Sequence, residues 1–169
     1  MKSTGQRPEA PESLTLVQKQ LEHLLSTRQS LVLATHDVHG ECELGTAPFV
    51  WDDGLFALLL SGLAPHTRHI EAGSSLKIML LEDEVHARQA FARQRLVLNC
   101  SASRLERESE QSDKLFGLFA QRFGSIVPLL RGLGDFHVYV FKPQGGRFVA
   151  GFGKAYRLEG LQVLEHLRG

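Results

Sequence analysis

The chain has 169 residues, 43% of them apolar and 22% charged, with 19 basic and 19 acidic side chains and a formal net charge of zero. This suits one globular domain with a real core, and nothing in the balanced charge points to nucleic acid or an anionic membrane as partner. No apolar run reaches the length of a membrane span, and the two cysteines, Cys42 and Cys100, form neither a CxxC motif nor a disulfide framework, which reads as buried structural thiols in a reducing cytoplasm.

The first residues are polar and proline-containing, so 1–12 read as a flexible lead-in rather than a signal peptide, with a single domain over 13–169. Pro11-Glu12-Ser13 looks like a helix start. Leu14, Val17, Leu21, Leu24 and Leu25 then fall on one helical face, and the helix ends near Arg28. Ser30 to Thr35 is a strand, Asp37 to Gly40 a turn, and Glu41 to Trp51 the return strand, where Pro48 marks an edge or bulge. Asp52-Asp53-Gly54 is a strong hairpin signal. Leu55 to Leu60 is a nearly continuous apolar strand, buried on both faces.

Ser61 to Pro65 breaks the strand. Pro65 suits the first position of a short helix, His66 to Ala72, which Gly73 stops. Ser75 to Leu81 is a strand, and Glu82 to Ala92 a charged loop with a helical turn. Arg93 to Arg107 holds an alternating strand with Leu96, Leu98, Cys100 and Ala102 on one face. Ser109 to Phe123 is an amphipathic helix, with Leu115, Leu118, Phe119 and Phe123 inward, and Ile126 to Arg131 a second short one. Asp135 to Phe141 is a strand; Pro143-Gln144-Gly145-Gly146 turns into Arg147. Arg147 to Val149 and Ala155 to Leu158 are strand pieces joined by Gly151-Phe152-Gly153, a glycine pattern that marks a bulge or a close backbone approach. Leu161 to Leu167 reads as a terminal helical turn or two.

About six mostly antiparallel strands with modest helices predict a mainly β protein, a small closed or split barrel. There is no βαβ alternation and no GxGxxG after the first strand, which argues against a dinucleotide-binding fold.

The densest polar cluster is His66-Thr67-Arg68-His69, on the short helix after a buried strand. Its two histidines, at i and i+3, can share a face. The helix start suits a phosphate or carboxylate; the alternative is a solvated surface helix. Asp135, after Gly132-Leu133-Gly134, is either a turn residue or a carboxylate that orients a histidine. Arg93 and Arg95, two apart on one strand face, either hold propionates or a phosphate or face solvent. His36 and His39 sit at a turn and read as exposed; His23 reads as a surface residue. No Ser-His-Asp order, glycosidase carboxylate pair or phosphate loop stands out, so an enzyme here would rely on a cofactor.

The spans APFVWDDGLFALLLSGLAPHTRHIEAGSSLKIMLLED, FARQRLVL and GDFHVYVFKPQGGRFVAGFGKAY resemble the HugZ/HutZ-type haem-utilisation proteins, a group within the pyridoxamine 5'-phosphate oxidase-like (FMN-binding) split β-barrels. The resemblance runs from about Ser30 to Tyr156, and its motifs, LAPHTRH and GFGKAY, are specific when found together. It implies a six-stranded antiparallel split barrel and an intertwined homodimer with two cofactor pockets at the subunit interface. It also implies haem binding and, in some members, oxidative haem breakdown that frees iron, with an external electron donor. By the same resemblance His66 and Asp135 are the catalytic pair, meeting across the dimer interface. Arg95, with Arg93, Arg68, Thr67 and His69, falls to cofactor binding, and His166 is the C-terminal histidine that takes the place of the haem-iron ligand. Two alternatives stand beside this reading: an FMN-dependent oxidoreductase, with Arg68, Ser61 and the helix start on the flavin phosphate, and a non-catalytic haem storage or carrier protein. The flavin relatives carry Arg-Lys type residues near the start of this helix, where this chain has His66-Thr67-Arg68, so a lysine is missing.

Overall fold

The computed structural model describes residues 12–167. The expected lead-in therefore lies outside the described residues except for Glu12, which ion-pairs with Lys154 at 2.8 Å. Helix α1 (Leu14–Thr27) begins where the Ser13 side chain accepts the Leu16 N–H, and it buries Val17, Leu21, Leu24 and Leu25. Strands β1 (Ser30–His36), β2 (Cys42–Asp52) and β3 (Leu55–Ser61) follow, then helix α2 (Pro65–Glu71), β4 (Leu76–Leu81) and β5 (Arg95–Arg104). Helices α3 (Glu110–Phe123) and α4 (Ile126–Gly132) precede β6 (Phe136–Gly151), β7 (Lys154–Glu159) and β8 (Gln162–His166).

All strand pairs are antiparallel, in the order β3-β2-β1-β4-β5-β6-β7-β8, and β6 also bonds back to β3. Six strands thus close a barrel, the expected class, and β7 and β8 extend it. Strand β6 does both jobs. Phe136 to Phe141 pair with β3, while Gly145 to Gly151 pair with β7. The register on β5 shifts between Asn99 and Cys100, opposite Gly145 and Pro143, so Gln144 is the extra residue of a bulge. Its carbonyl accepts the Gly160 N–H.

Pro48 sits where β2 changes partner. Cys42 to Pro48 pair with β1, and Phe49 to Asp52 pair with β3, so the missing N–H falls at the handover. The β2–β3 turn takes Asp53 and Gly54 to φ of 50° and 77°, the left-handed pair that the DG signal predicts. One core fills the barrel and lies under α1, with Leu33, Phe49, Phe56, Leu98, Tyr139, Phe148 and Tyr156. A second lies between the outer barrel wall and α3 and α4, with Val50, Ala57, Leu115, Phe119 and Val138. Strand β3 feeds both, Phe56 and Leu58 inward and Ala57 outward, as its continuous apolar run implies.

Three expectations need correcting. Pro143 to Gly146 is not a turn but the middle of β6, because β5 pairs along it on one side and β7 takes over on the other. Leu161 to Leu167 is not helical; Gln162 to His166 form β8 against β7, and the Gln18 side chain accepts the Val163 N–H. Cys42 is exposed at the start of β2, and only Cys100 is a buried thiol, its pKa pushed up to about 12 by burial.

Two glycines give opposite predictions. A Cβ at Gly146 would lie 2.0 Å from the Val97 carbonyl oxygen, a backbone atom that cannot swing away. Gly146→Ala should destabilise the fold by at least about 1–3 kcal/mol. Gly117, in the middle of α3, faces open space, so Gly117→Ala should stabilise by roughly 0.5–1 kcal/mol. Urea midpoints of the two variants check both signs.

Candidate functional site

Helix α2 sits at one mouth of the barrel. Pro65 opens it, and its spacing turns Thr67 and Ile70 inward; both are buried. Ile70 joins the barrel core, while the Thr67 hydroxyl is enclosed with no hydrogen-bond partner. His66 and His69 share the next face. The His69 Nδ1 lies 3.0 Å from the hydroxyl of buried Thr35 on β1. The His66 ring rests on Gly45 of β2, where an added Cβ would come within 2.8 Å of Nδ1. Glycine there is what lets the half-buried imidazole lie against the backbone. Burial holds the His66 pKa below the ordinary histidine value; Glu43 pulls it back up and His69 pushes it further down. Arg68 is exposed. At the end of the helix, Glu71 accepts from the Tyr139 hydroxyl at 2.7 Å and from Arg104 at 3.0 Å. Tyr139 is fully buried, and its pKa is raised first by burial and then by Glu71.

Asp135 lies at the same mouth. The closing register sets Ser61 opposite Phe136, and Asp135 meets the loop that leads into α2. Its carbonyl accepts the Gly62 N–H at 2.7 Å, and its Oδ2 accepts the Ser61 hydroxyl at 2.5 Å. Ser61 Oγ in turn accepts the Leu63 N–H at 3.2 Å. Next along β6, half-buried His137 has its pKa lowered by burial, then by Arg104 and Arg107. Among the described residues no hydrogen bond or ion pair joins His66 to Asp135 within the chain. His36 is not simply exposed; its ring bonds the Asp37 carbonyl at 3.0 Å and Ser75 at 3.2 Å.

The outer barrel wall carries a different feature. Outward residues of β1, β2, β4 and β5 form a cross-strand row, Thr46, Val32, Met79, Val97, in successive registers. A cleft of about 420 Å³ opens on that row, floored by Val32, Met79 and Leu81 and rimmed by Arg28, Asp83 and Arg93. The size is within the roughly 300–1,000 Å³ of small-molecule sites. The Arg28 Nε is buried without a partner, and Asp83 stands 3.6 Å from its guanidinium. Arg93 lies just ahead of β5, bonded to the Glu82 carbonyl and to Glu84. Arg95 opens β5 opposite Leu81 of the cleft floor. Of the two arginines singled out in the sequence, Arg93 lines the cleft and Arg95 lies beside it on β5. Arg28, which showed only as a helix end, joins them.

His166 ends β8 opposite Tyr156, with ring centroids 5.1 Å apart, edge to face. Its Nε2 lies 3.0 Å from the Gly153 carbonyl, in the β6–β7 turn of the GFG sequence. In the tautomer that donates there, the lone pair sits on Nδ1.

A closed six-stranded antiparallel barrel with a short helix in its mouth and helices outside defines a split-barrel protein. The sequence matches the pyridoxamine 5'-phosphate oxidase family over residues 17–150. It is 37% identical over 149 residues to the protein named heme oxygenase HutZ from Vibrio cholerae, covering 88% of this chain and 85% of that one. A crystal structure described as HutZ, the heme storage protein from Vibrio cholerae, superposes with a TM-score of 0.70 at 35% identity, over 74% of this chain and 88% of that one. ChuZ from Campylobacter jejuni superposes with a TM-score of 0.84 at 31% identity; 94% of this chain is covered, and it spans 65% of the ChuZ chain. The chain belongs to the pyridoxamine 5'-phosphate oxidase family, on its HutZ-like side.

The mouth geometry generates a pH prediction. His66 and His137 have folded pKa values below their ordinary ones, so the fold favours their neutral forms. Their contribution is present above the unfolded pKa and is lost as pH falls through the folded values. Melting temperature should therefore fall between about pH 7 and about pH 5, and His66→Gln should flatten that slope. Gly45→Ala, by displacing the ring, should move the His66 titration midpoint, read by NMR of the ring protons, with the other histidines unmoved.

Proposed function

We propose that this chain binds haem as a cytoplasmic homodimer and serves haem-iron use, with oxidative haem breakdown as its reaction. The carrying observation is the outer cleft, where Val32, Met79 and Leu81 lie beside Arg28 and Arg93. A flat apolar macrocycle bearing two carboxylates calls for that combination. Arg28 and Arg93 at the cleft, with Arg95 beside Leu81 on β5, would hold the propionates. The likeness to a protein named heme oxygenase supports the same reading.

The donor set fits as well. An imidazole that ligates iron usually donates its other N–H to a carbonyl or carboxylate, which fixes the tautomer. His166 has that arrangement through Gly153, leaving Nδ1 to ligate. His66, kept neutral by burial, retains a lone pair for a proton or a donor. Asp135 keeps Oδ1 for a donor from outside its own chain, because Oδ2 is taken by Ser61. The half-exposed row Val32, Met79 and Val97 supports a second copy packed there. Bound haem supplies the redox-active iron at which oxygen is used, and electrons come from an external donor. Arg68 and Thr67 contribute differently from a flavin site. Thr67 is neutral and fully buried, and no lysine stands at this helix start, which leaves a phosphate dianion short of one cation.

Purified protein should elute at about twice its 18.8 kDa in light-scattering chromatography and give a Soret shift on haem titration. His166→Ala should abolish that shift; an unchanged spectrum would remove His166 as the ligand. With ascorbate and oxygen the Soret band should decay and release iron. A stable band under those conditions would mark a storage or carrier protein, and a yellow protein that releases FMN on denaturation would mark the flavin reading.

A further inference from the structure

The stretch just before Asp135, Gly132-Leu133-Gly134, carries two glycines and should be among the most pliable backbone in the chain. One side chain holds it. β5–β6 pairing continues past Arg104, where the Leu105 N–H donates to the Val138 carbonyl at 2.9 Å. Running on antiparallel to β6, the chain then brings Arg107 alongside the α4–β6 turn. Its guanidinium donates to three backbone carbonyls there, those of Arg131, Leu133 (2.8 Å) and Gly134 (3.4 Å). A planar fork can serve several acceptors from fixed directions, and it places a cation at the carbonyl end of α4.

We propose that Arg107 is a positioning residue for the site, which sets Asp135 and, through it, the entrance to α2. The linkage is continuous. Arg107 fixes the carbonyls of residues 131, 133 and 134. Asp135 then presents its carbonyl to Gly62 and its carboxylate to Ser61. Ser61 holds the Leu63 N–H two residues before Pro65, where the helix carrying His66 begins. The guanidinium touches neither Asp135 nor His66 by any hydrogen bond or ion pair, so it acts only through the turn. Tyr139 and Arg104 restrain the other end of α2 through Glu71, and that restraint stays when Arg107 is removed. The effect is therefore local to the entrance. The structural part stands without the haem reading; only its consequence for haem rests on it.

The test is amide hydrogen exchange of the full chain, read at Gly62, whose N–H donates to Asp135, and at Leu33 and Ile78 in the barrel wall. Hydrogen bonds to a charged group are worth roughly tenfold to a hundredfold in an equilibrium. Arg107→Ala should raise Gly62 exchange by about tenfold or more, with Leu33 and Ile78 unchanged. Arg107→Lys keeps the charge but not the fork, and it should raise Gly62 exchange by a smaller factor. That variant decides the matter should the alanine form fail to fold. Wild-type protection at Gly62 in either variant, or the same factor at all three amides, would overturn the proposal. Haem titration of the wild type, run alongside, decides the function reading separately, since its failure leaves the Gly62 readout intact.

Discussion

Six residue pairs between β3 and β6, from Phe56↔Phe141 to Ser61↔Phe136, close the barrel. The rest of the site depends on that register. Strand side chains alternate faces, so the register decides which β6 residues point into the mouth. His137, Tyr139 and Phe141 point in; Val138 and Val140 turn out to α3 and α4. The same register ends with Ser61 beside the turn that precedes Phe136, which is why Asp135 can hold both Ser61 and Gly62. A slip of one residue would put Tyr139 on the outer wall, away from Glu71. It would also part Asp135 from the loop that introduces α2. The fold and the mouth are thus fixed by one long-range interaction.

How far this was legible in the sequence follows from the range of each signal. Helix α1, strands β1 to β5, the Asp53-Gly54 turn and Pro65 as the start of α2 carry local signals, periodicity or backbone preference, and the structure keeps them. Pro143-Gln144-Gly145-Gly146 carries an equally local turn signal, but β5 and β7 override it. Gly146 is there because β5 backbone leaves no room for a Cβ, not because the chain turns. Leu161, Leu164 and Leu167 have helical spacing, yet β7 offers an unfilled edge, and Val163 packs into the barrel core as a strand residue. Closure onto β3 and the doubling of β6 rest on contacts between distant segments, which no window of sequence displays.

The site residues divide in the same way. His66, Arg93 and Asp135 could be singled out because a helix start, a strand face and a glycine-flanked turn mark them locally. Arg28, Arg107 and Tyr139 could not. Arg28 matters because it rims a cleft built by β1, β2 and β4; Arg107 because β5 delivers it to the end of α4; Tyr139 because α2 ends above it. Ser61 was legible as a polar residue near the helix start, but its hydroxyl is already committed to Asp135 and Leu63 rather than open to a phosphate.

The mouth and the cleft also stand in a definite relation. Gly45, under the His66 ring, and Thr46, in the cleft, are neighbours on β2, so they face opposite sides of the sheet. The wall between the two sites is one strand thick. Along Cys42 to Thr46 that strand has β1 on one side, and β3 joins β2 only from Phe49, so among the described residues the other side of this stretch is an open edge. An open edge leaves backbone N–H and C=O groups unpaired, and exposed Leu44 adds apolar surface to it. Packing a second chain against this edge and the adjoining apolar row would cover both. It would also bring the mouth of one chain toward the outer wall of the other. In a single chain the mouth, with its imidazole and carboxylate, and the arginine-rimmed cleft lie on opposite faces of the sheet. In the homodimer proposed above, a second barrel seated on this edge would bring the two together, the mouth of one chain facing the cleft of the other.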